Sequence, residues 1–484
     1  MIRNSVRLLG VVAIAAWSGA CSDMAGERPA DAPISPDSRA APDAAIAMAD
    51  APPSPVADAL MTATNLPPVF GSALMEVTYT GAPIDVTAEA TDPDGDPIVS
   101  YRWRVKGHPE DSSATVSSSS ATVHFVADVD GPYVLEVIAS DGRADSNPFE
   151  VSVTSYHPLA PLGHRVIAAE MSRSLSRIVM IEDGPASLHI YDPVAKSEVA
   201  VPLSATPTSV SVSPDGHFAA VGHDASFSYV DLVDAEVVKV YALTVPVLNL
   251  VLAGNGYVYV FPSSNPPSNP FPALHMVDLQ TGFESQTGAF FFLYATVGRL
   301  HPDGDRIYAA DVGVSPSIVA DYGIAAPANP TSHTGPPMGD YFFCDDLWLT
   351  EDGSRLITRC GEILRATSDA TTDMAYTGML AAFSGLEHIQ DISDSKAAGK
   401  LVVARAADMF DDPNGDEMLF IYGDQDLDLE KQLPLGAFIV SGKAYPARGR
   451  FVFADPDGAH YHVFVEADPS AGLVADYAVA TYAF

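Results

Sequence analysis

Basic residues are scarce. Only 25 Lys and Arg stand against 62 Asp and Glu, a net charge of −37 with histidine neutral. That field repels phosphate backbones and anionic lipid headgroups at long range, which excludes nucleic acid as a partner. Charged residues of both signs make up only 18% of the chain against 47% hydrophobic ones, so wholesale disorder is excluded too. Apart from the leader described below, no run approaches the ~20 apolar residues of a membrane-spanning helix. Helical stripes of ten residues or more at 3.6 spacing are also missing. The chemistry-bearing motifs are absent as well: there is no His-Glu-x-x-His, no Cys-x-x-Cys, no phosphate-cradling Gly loop and no Gly-x-Ser-x-Gly. No catalytic residue and no cofactor is expected.

What is present is 484 residues, enough for several domains, punctuated by 35 Gly and 39 Pro. Such frequent interruption suits short strands joined by turns. The N-terminus carries Arg3 and Arg7, then the apolar run Leu8 to Trp17, then Ser18-Gly19-Ala20-Cys21. A charged, an apolar and a small-residue region in that order make a secretory signal peptide over residues 1–20. The Cys after three small residues resembles a bacterial lipobox, apart from Ser18 where Leu is usual. The resemblance implies a diacylated Cys21 as the first mature residue, with the lipid as the only membrane anchor. Ordinary cleavage leaving a free Cys is the alternative. Residues 21–65 are then a lipidated Cys and a disordered tether rich in Ala, Pro and Asp, lacking the aromatic residues needed to bury a core. The expected location is the cell envelope, lipid-anchored to the outer membrane.

Residues 66–155 alternate apolar and polar positions at Ile84-Val86, Ile98 to Val105, Ala121 to Phe125, Tyr133 to Val137 and Phe149 to Val153. About seven short strands in 90 residues suit an immunoglobulin-like sandwich. The run Ala90-Thr91-Asp92-Pro93-Asp94-Gly95-Asp96-Pro97-Ile98, followed by Tyr101-Arg102-Trp103, Tyr133-Val134-Leu135 and Ser140-Asp141-Gly142, resembles the PKD and cadherin-like families. The resemblance implies a spacer or adhesion module in which Trp103 fills the core and Tyr133 sits on the facing sheet. Asp92, Asp94 and Asp96 offer carboxylates for calcium, but Gly95 and Trp103 break the EF-hand spacing. An Asp-capped turn is the competing reading.

From about 160 to 484 one pattern recurs, a turn followed by a cation or aromatic and a short strand. Its copies open at Arg177, His217, Tyr257, Arg306, Arg355, Lys400 and Arg450, at steps of 40 to 50 residues. Leu188 to Asp192, Phe227 to Asp231, Leu274 to Asp278, Leu419 to Asp424 and His462 to Glu466 follow as a second strand. Self-similarity at this period, with several strands per copy, predicts a seven-bladed β-propeller of four-stranded blades. The turns Ser213-Pro214-Asp215-Gly216 and His301-Pro302-Asp303-Gly304 resemble those of TolB-type and YVTN-type propellers. The fold class is therefore all-β, a sandwich followed by a propeller, each anchor opening the second strand of its blade.

With Cys21 lipidated, Cys344 and Cys360 remain as a pair. A three-residue turn Glu351-Asp352-Gly353 sets Thr350 opposite Ser354 and Cys344 opposite Cys360, predicting a cross-strand disulfide in the fifth blade. His460 and His462 share one face of a strand but are only two ligands, and exposed polar positions on an outer strand explain them as well. His217, His223 and His301 lie near turns of the kind used by some propeller lactonases and lyases. The long insertions Pro262 to Pro272, including Asn265, Asn269 and Phe271, and Ala406 to Asp416, including Asp411 and Asn414, are candidate binding loops. Ala325 to Asp340 joins them if it links one blade to the next. Tolerated insertions are the alternative. The function expected is a binding or scaffolding platform for an envelope or extracellular protein or glycan; the alternative is a hydrolase or lyase acting on a lactone or polysaccharide.

Overall fold

A computed structural model of the chain describes residues 64–264, 273–287, 295–311, 317–335, 341, 343–383, 388–406 and 418–484. The leader, Cys21 and nearly all of the tether lie outside the described residues. Thr64–Phe484 is one compact unit built from strands.

Its first part has two layers. Leu74–Tyr79, Phe149–Tyr156, Gly131–Ser140 and Ser100–Gly107 form one sheet in that order, the first pair parallel. Pro83–Thr87 pairs with Thr122–Val126 in a second, smaller sheet. Period-two alternation sends Val86, Trp103, Phe125, Tyr133, Leu135, Val151 and Val153 into a shared core. Trp103 fills that core and satisfies its indole by donating to Ser120 O at 2.9 Å. Tyr133, expected on the facing sheet, pairs in the same sheet as Trp103, because its strand is the direct neighbour of Ser100–Gly107.

The second part consists of seven consecutive antiparallel sheets. The first comprises Ala168–Ser172, Arg177–Asp183, Ala186–Asp192 and Ser197–Pro202, here strands A to D from the centre outward. The inner strands of the next five are Ser209–Val212, Val247–Leu252, Thr296–Leu300, Leu347–Leu349 and Ile389–Ser395. All converge on one central channel, the arrangement of a β-propeller. A distinct apolar cluster occupies each blade junction, such as Val179, Ile181 and Leu188 against Val210, Val221 and Val230 between blades one and two. Neither face of a blade is left to water, which is why the B strands read as continuous apolar runs, not alternating ones.

Tight Asp-Gly turns link A to B. Asp215 Oδ1 accepts from His217 N at 3.1 Å, Asp352 Oδ1 from Ser354 N at 3.0 Å and Asp457 Oδ1 from Ala459 N at 2.9 Å. The C–D turns repeat the device through Asp192, Asp231 and Asp278, each accepting from two following backbone amides. Much of the negative charge is thus turn chemistry.

Five anchors open their B strands as expected and His217 immediately precedes its own, Phe218–His223, but the seventh is corrected. Arg450 lies within Lys443–Ala454, which supplies the inner strand of the last blade, and the B strand is His460–Ala467 after the turn Asp455-Pro456-Asp457-Gly458. His462 to Glu466 is consequently a second strand, not a third. Arg448-Gly449-Arg450 imitates the anchor because a register shift falls there, between Gly449 and Phe451. The outer strand of that blade is Leu159–Pro161, from before blade one, pairing with Tyr477–Ala483. The ring is closed by joining its two ends in one sheet.

Cys344 and Cys360 form a disulfide with Cα atoms 5.5 Å apart. The register behind the expectation is off by one. Thr350 N donates to Arg355 O and Leu349 pairs with Leu356, so the turn takes in Ser354 as a fourth residue. The slip is absorbed at Asp345, whose φ of 39° and the Asp346 N to Cys344 O bond of 2.7 Å make a tight local turn. The bridge therefore closes just beyond the ladder, not within it. Replacing both cysteines by serine is expected to cost about 3 kcal/mol in denaturant unfolding, the figure for a loop of about 15 residues. Thiol labelling of the unreduced, unfolded chain should detect neither Cys344 nor Cys360.

Candidate functional site

The inner strands enclose a cavity of about 770 Å³. Its charged lining includes Glu170 of blade one, Arg299 of blade four, Asp346 of blade five and Asp391 of blade six, with Arg173, Glu351 and Asp394 towards one mouth. An inner strand is a sheet edge, and its outward amides need acceptors that its own blade cannot supply. The neighbouring blade provides them. Glu170 Oε2 accepts from Val212 N at 2.5 Å, Ser211 Oγ from Leu252 N at 3.1 Å and Asn249 Oδ1 from Gly298 N at 2.9 Å. Arg299 Nη2 donates to Asp346 at 3.0 Å, and Trp348 Nε1 donates to Asp391 Oδ1 at 2.8 Å. Asp391 Oδ2 accepts from Val452 N and Ser393 Oγ from Ala454 N, at 2.8 and 2.9 Å. Six successive junctions, from blade one to blade seven, are bridged, four through a backbone amide and the junctions of blades four–five and five–six through side-chain donors.

Electrostatics follow from depth. The blades hold Glu170 and Asp391 away from bulk water, and this desolvation pushes each carboxyl up to about 7 although the backbone amides and Arg299 favour the charged form. Arg299 is held charged chiefly by Asp346, with Glu170 and Asp391 adding to the effect. At the A–B end Arg173 crosses the mouth, pairing with Glu351 at 2.9 Å and donating to Asp394 O at 2.9 Å. Lys396 sits beside Asp352 and Asp424 at 3.1 and 3.0 Å. Such a channel can hold a small polar or charged solute between a guanidinium and carboxyls that titrate near neutrality.

The histidines singled out in the sequence are structural. His301 Nε2 donates to Gly353 O at 2.9 Å, clamping two blades; a Cβ on Gly353, at φ +69°, would stand 2.5 Å from that ring. His223 bonds Ser228 Oγ and Thr206 O, and His217 lies exposed on its turn. His460 and His462 both face Asp455, at 3.5 and 3.0 Å; His462 is 2% exposed, so it is not an outer-strand surface position. In the first module Asp92 Oδ1 accepts from Asp94 N and Asp96 N, Asp94 accepts from Leu66 N, and Asp96 pairs with Arg143 at 3.1 Å. These are the contacts of a capped turn.

Of the expected binding loops, Pro262 ends a B strand, while Asn265, Asn269, Phe271, Asp411 and Asn414 lie outside the described residues. The flanking strands make both insertions B–C connections. Ala325 to Asp340 is not one connection: Thr331–Thr334 is the outer strand of blade four, and only the stretch after it leads to the next blade. Glu170, Arg299 and Asp391 were not anticipated. For Glu170 and Arg299 the one signal is a lone charge inside a short, largely apolar strand just before a turn; Asp391, in Ile389–Ser395 beside Asp394, lacks even that.

No family model matches this chain, and no curated protein matches it. Among solved structures it is similar to the Cps50 (Swd1) β-propeller domain of Myceliophteria thermophila, at 12% identity and a TM-score of 0.49, covering 68% of this chain and 99% of that one. It is similar also to hydrazine synthase of Kuenenia stuttgartiensis, at 14% identity and a TM-score of 0.46 over 66% and 95% of the two chains. A quinonprotein alcohol dehydrogenase-like protein of Bacteroides thetaiotaomicron gives 13% and 0.42 over 76% and 96%. The propeller assignment stands on the strand order above.

A carboxyl raised from 4.5 or 3.8 to about 7 keeps its proton in the folded chain when the unfolded chain has lost it. Folding is therefore weakened progressively as pH rises from about 4 to 7, and fully above 7. Glu170→Gln, which keeps an oxygen for Val212 N, should flatten the fall in stability between pH 5 and 8 and gain on the order of 1 kcal/mol at pH 8. Denaturant midpoints across that range check this.

Proposed function

We propose that the chain is an exported, lipid-anchored protein of the cell envelope. In this reading an immunoglobulin-like module of the PKD and cadherin-like kind spaces a propeller that binds protein or glycan partners through one face. The observation that carries it is an asymmetry of connection length: six long connections on one face outnumber those on the other, where 366–375 of blade five is the longest. In an antiparallel meander the B–C and D–A connections emerge together, opposite the A–B and C–D turns. On blades one and two the B–C turns are the pairs Gly184-Pro185 and Asp224-Ala225. On blades three, four and six they take up 263–274, 312–318 and 406–417. The D–A connections leaving blades three, four and five take up 287–295, 335–346 and 380–388. Folding does not need such length, as the first two blades show, and long connections on a rigid ring are where recognition concentrates.

A hydrolase or lyase would need channel carboxyls free to reach a substrate. Glu170 and Asp391 are instead engaged by Val212 N and Val452 N. The platform reading leaves that girdle intact.

Two measurements test the proposal. Cys21→Ser should move the protein from the membrane to the soluble envelope fraction and abolish fatty-acid labelling; retention with label would overturn the anchor. A photo-crosslinker placed at exposed Ser264, on the loop face, should trap a partner in intact cells, whereas one at exposed Asp457, on the opposite face, should not. Equal or reversed trapping would overturn the face.

A further inference from the structure

Blade one carries a second polar cluster, far from the channel staples. Its four members come from four segments: His164 on the connection that leaves the ring-closing strand Leu159–Pro161, Glu182 on strand B, His189 on strand C and Glu198 on strand D. The imidazoles of His164 and His189 stack at 3.7 Å between centroids. Both side chains are more than nine-tenths buried, at 5% and 8% exposure. They lie at the junction where Leu162, Ile178, Met180 and Tyr191 meet Phe453, Phe464 and Tyr477 of the last blade. This is the seam at which the ring closes.

The donors share one focus. His164 Nε2 stands 2.9 Å from Glu198 Oε2, and His189 Nδ1 stands 3.4 Å from Glu198 Oε1. One donor from each of the three lies within 4.8 Å of the others. Tetrahedral ligands about 2.1 Å from a zinc ion are about 3.4 Å apart, so the spacing fits. The outer partner is in place too: His189 Nε2 lies 3.1 Å from Glu182 Oε2. A proton held there leaves Nδ1 as a lone pair aimed at an oxygen of Glu198, two acceptors facing each other. Nδ1 of His189 indeed lacks a hydrogen-bond partner. Metal ligation takes both rings neutral, and one divalent cation then cancels the two negative charges of Glu182 and Glu198.

The geometry points to a structural site for a divalent transition metal of the zinc class, with His164, His189 and Glu198 as ligands and Glu182 as the carboxylate that orients His189. Two imidazoles and one carboxylate are the donors such a borderline ion prefers, and water completes a fourth position. Closing the stacked rings onto one ion takes a rotation about their χ2 torsions. Because His164 follows the strand that completes blade seven while the other ligands belong to blade one, the ion rivets the two ends of the propeller.

The test uses the full chain, stripped with EDTA. It is expected to take up Zn²⁺ at this site with a rise in thermal midpoint that EDTA reverses. Co²⁺ in its place should give the visible absorption of a tetrahedral nitrogen and oxygen site. His164→Gln and Glu198→Gln should each weaken Zn²⁺ binding at least about 10-fold, and Glu182→Gln about 10–100-fold. His333→Gln, which removes the histidine of the other mixed cluster, Asp321, His333 and Asp373, should leave this binding unchanged. Failure of the wild-type chain to bind Zn²⁺ or Co²⁺ at pH 7.5 would overturn the proposal, leaving a proton-sharing His and Glu network. Undiminished binding by folded His164→Gln would overturn it equally. If His164→Gln fails to fold, the Co²⁺ spectrum of the His333→Gln chain, which lacks the histidine of the other cluster, decides the matter.

Discussion

Seven sheets arranged around an axis leave seven inner edges, and the folded state depends on how their unpaired amides are met. A free edge in a water-poor channel is costly at every orphaned N–H. Here the donor is supplied with an acceptor by the blade next to it, through Glu170, Ser211, Asn249, Asp391 and Ser393. Each bond joins two blades as it satisfies one edge, so the polar lining of the channel and the cohesion of the ring are one system. Apolar clusters between blades supply the bulk of the burial. The polar girdle sets how neighbouring blades register.

The junction between last and first blades has the further task of joining the two ends of the chain's ring. Leu159–Pro161 pairs into the seventh sheet, and Leu162 N continues the link by donating to Tyr477 O at 2.8 Å. The hairpin Ala437–Val440 with Lys443 to Pro446 also reaches the first module, where Ile439 N donates to Tyr79 OH at 3.0 Å. His157 stacks on Tyr482 at 3.9 Å beside that contact. Closure and the docking of the module thus share one region of blade seven. The metal cluster proposed above lies at the same seam.

Much of this was legible from particular residues. The Asp-Gly turns announced the blades because a left-handed Gly after an Asp cap is a local requirement, independent of what packs around it. The pairing of Cys344 with Cys360 was legible for the same reason, through a hairpin. Its register was not, since whether Ser354 belongs to the turn is settled by the Asp352 cap and by the backbone at Asp345. Arg450 misled because Arg448-Gly449-Arg450 carries the same letters as an anchor in a different role. The channel residues were nearly silent: Glu170 and Arg299 come from blades one and four, and nothing local ties them.

The amino-acid sequence by itself determined the strand-rich class, the repeat and its turns, because these depend on backbone preferences and on side chains within a few positions of one another. It also determined the surplus of Asp, part of which caps turns. Only the tertiary structure decided which blade each strand joins, that the closing strand comes from before the first blade, and which carboxyls end in a desolvated channel. Those outcomes depend on contacts such as Glu182, His189 and Glu198 with His164, or Leu159 with Ala480, the latter more than 300 positions apart. Pairing at that separation is governed by ring closure, a constraint that no local window of residues carries.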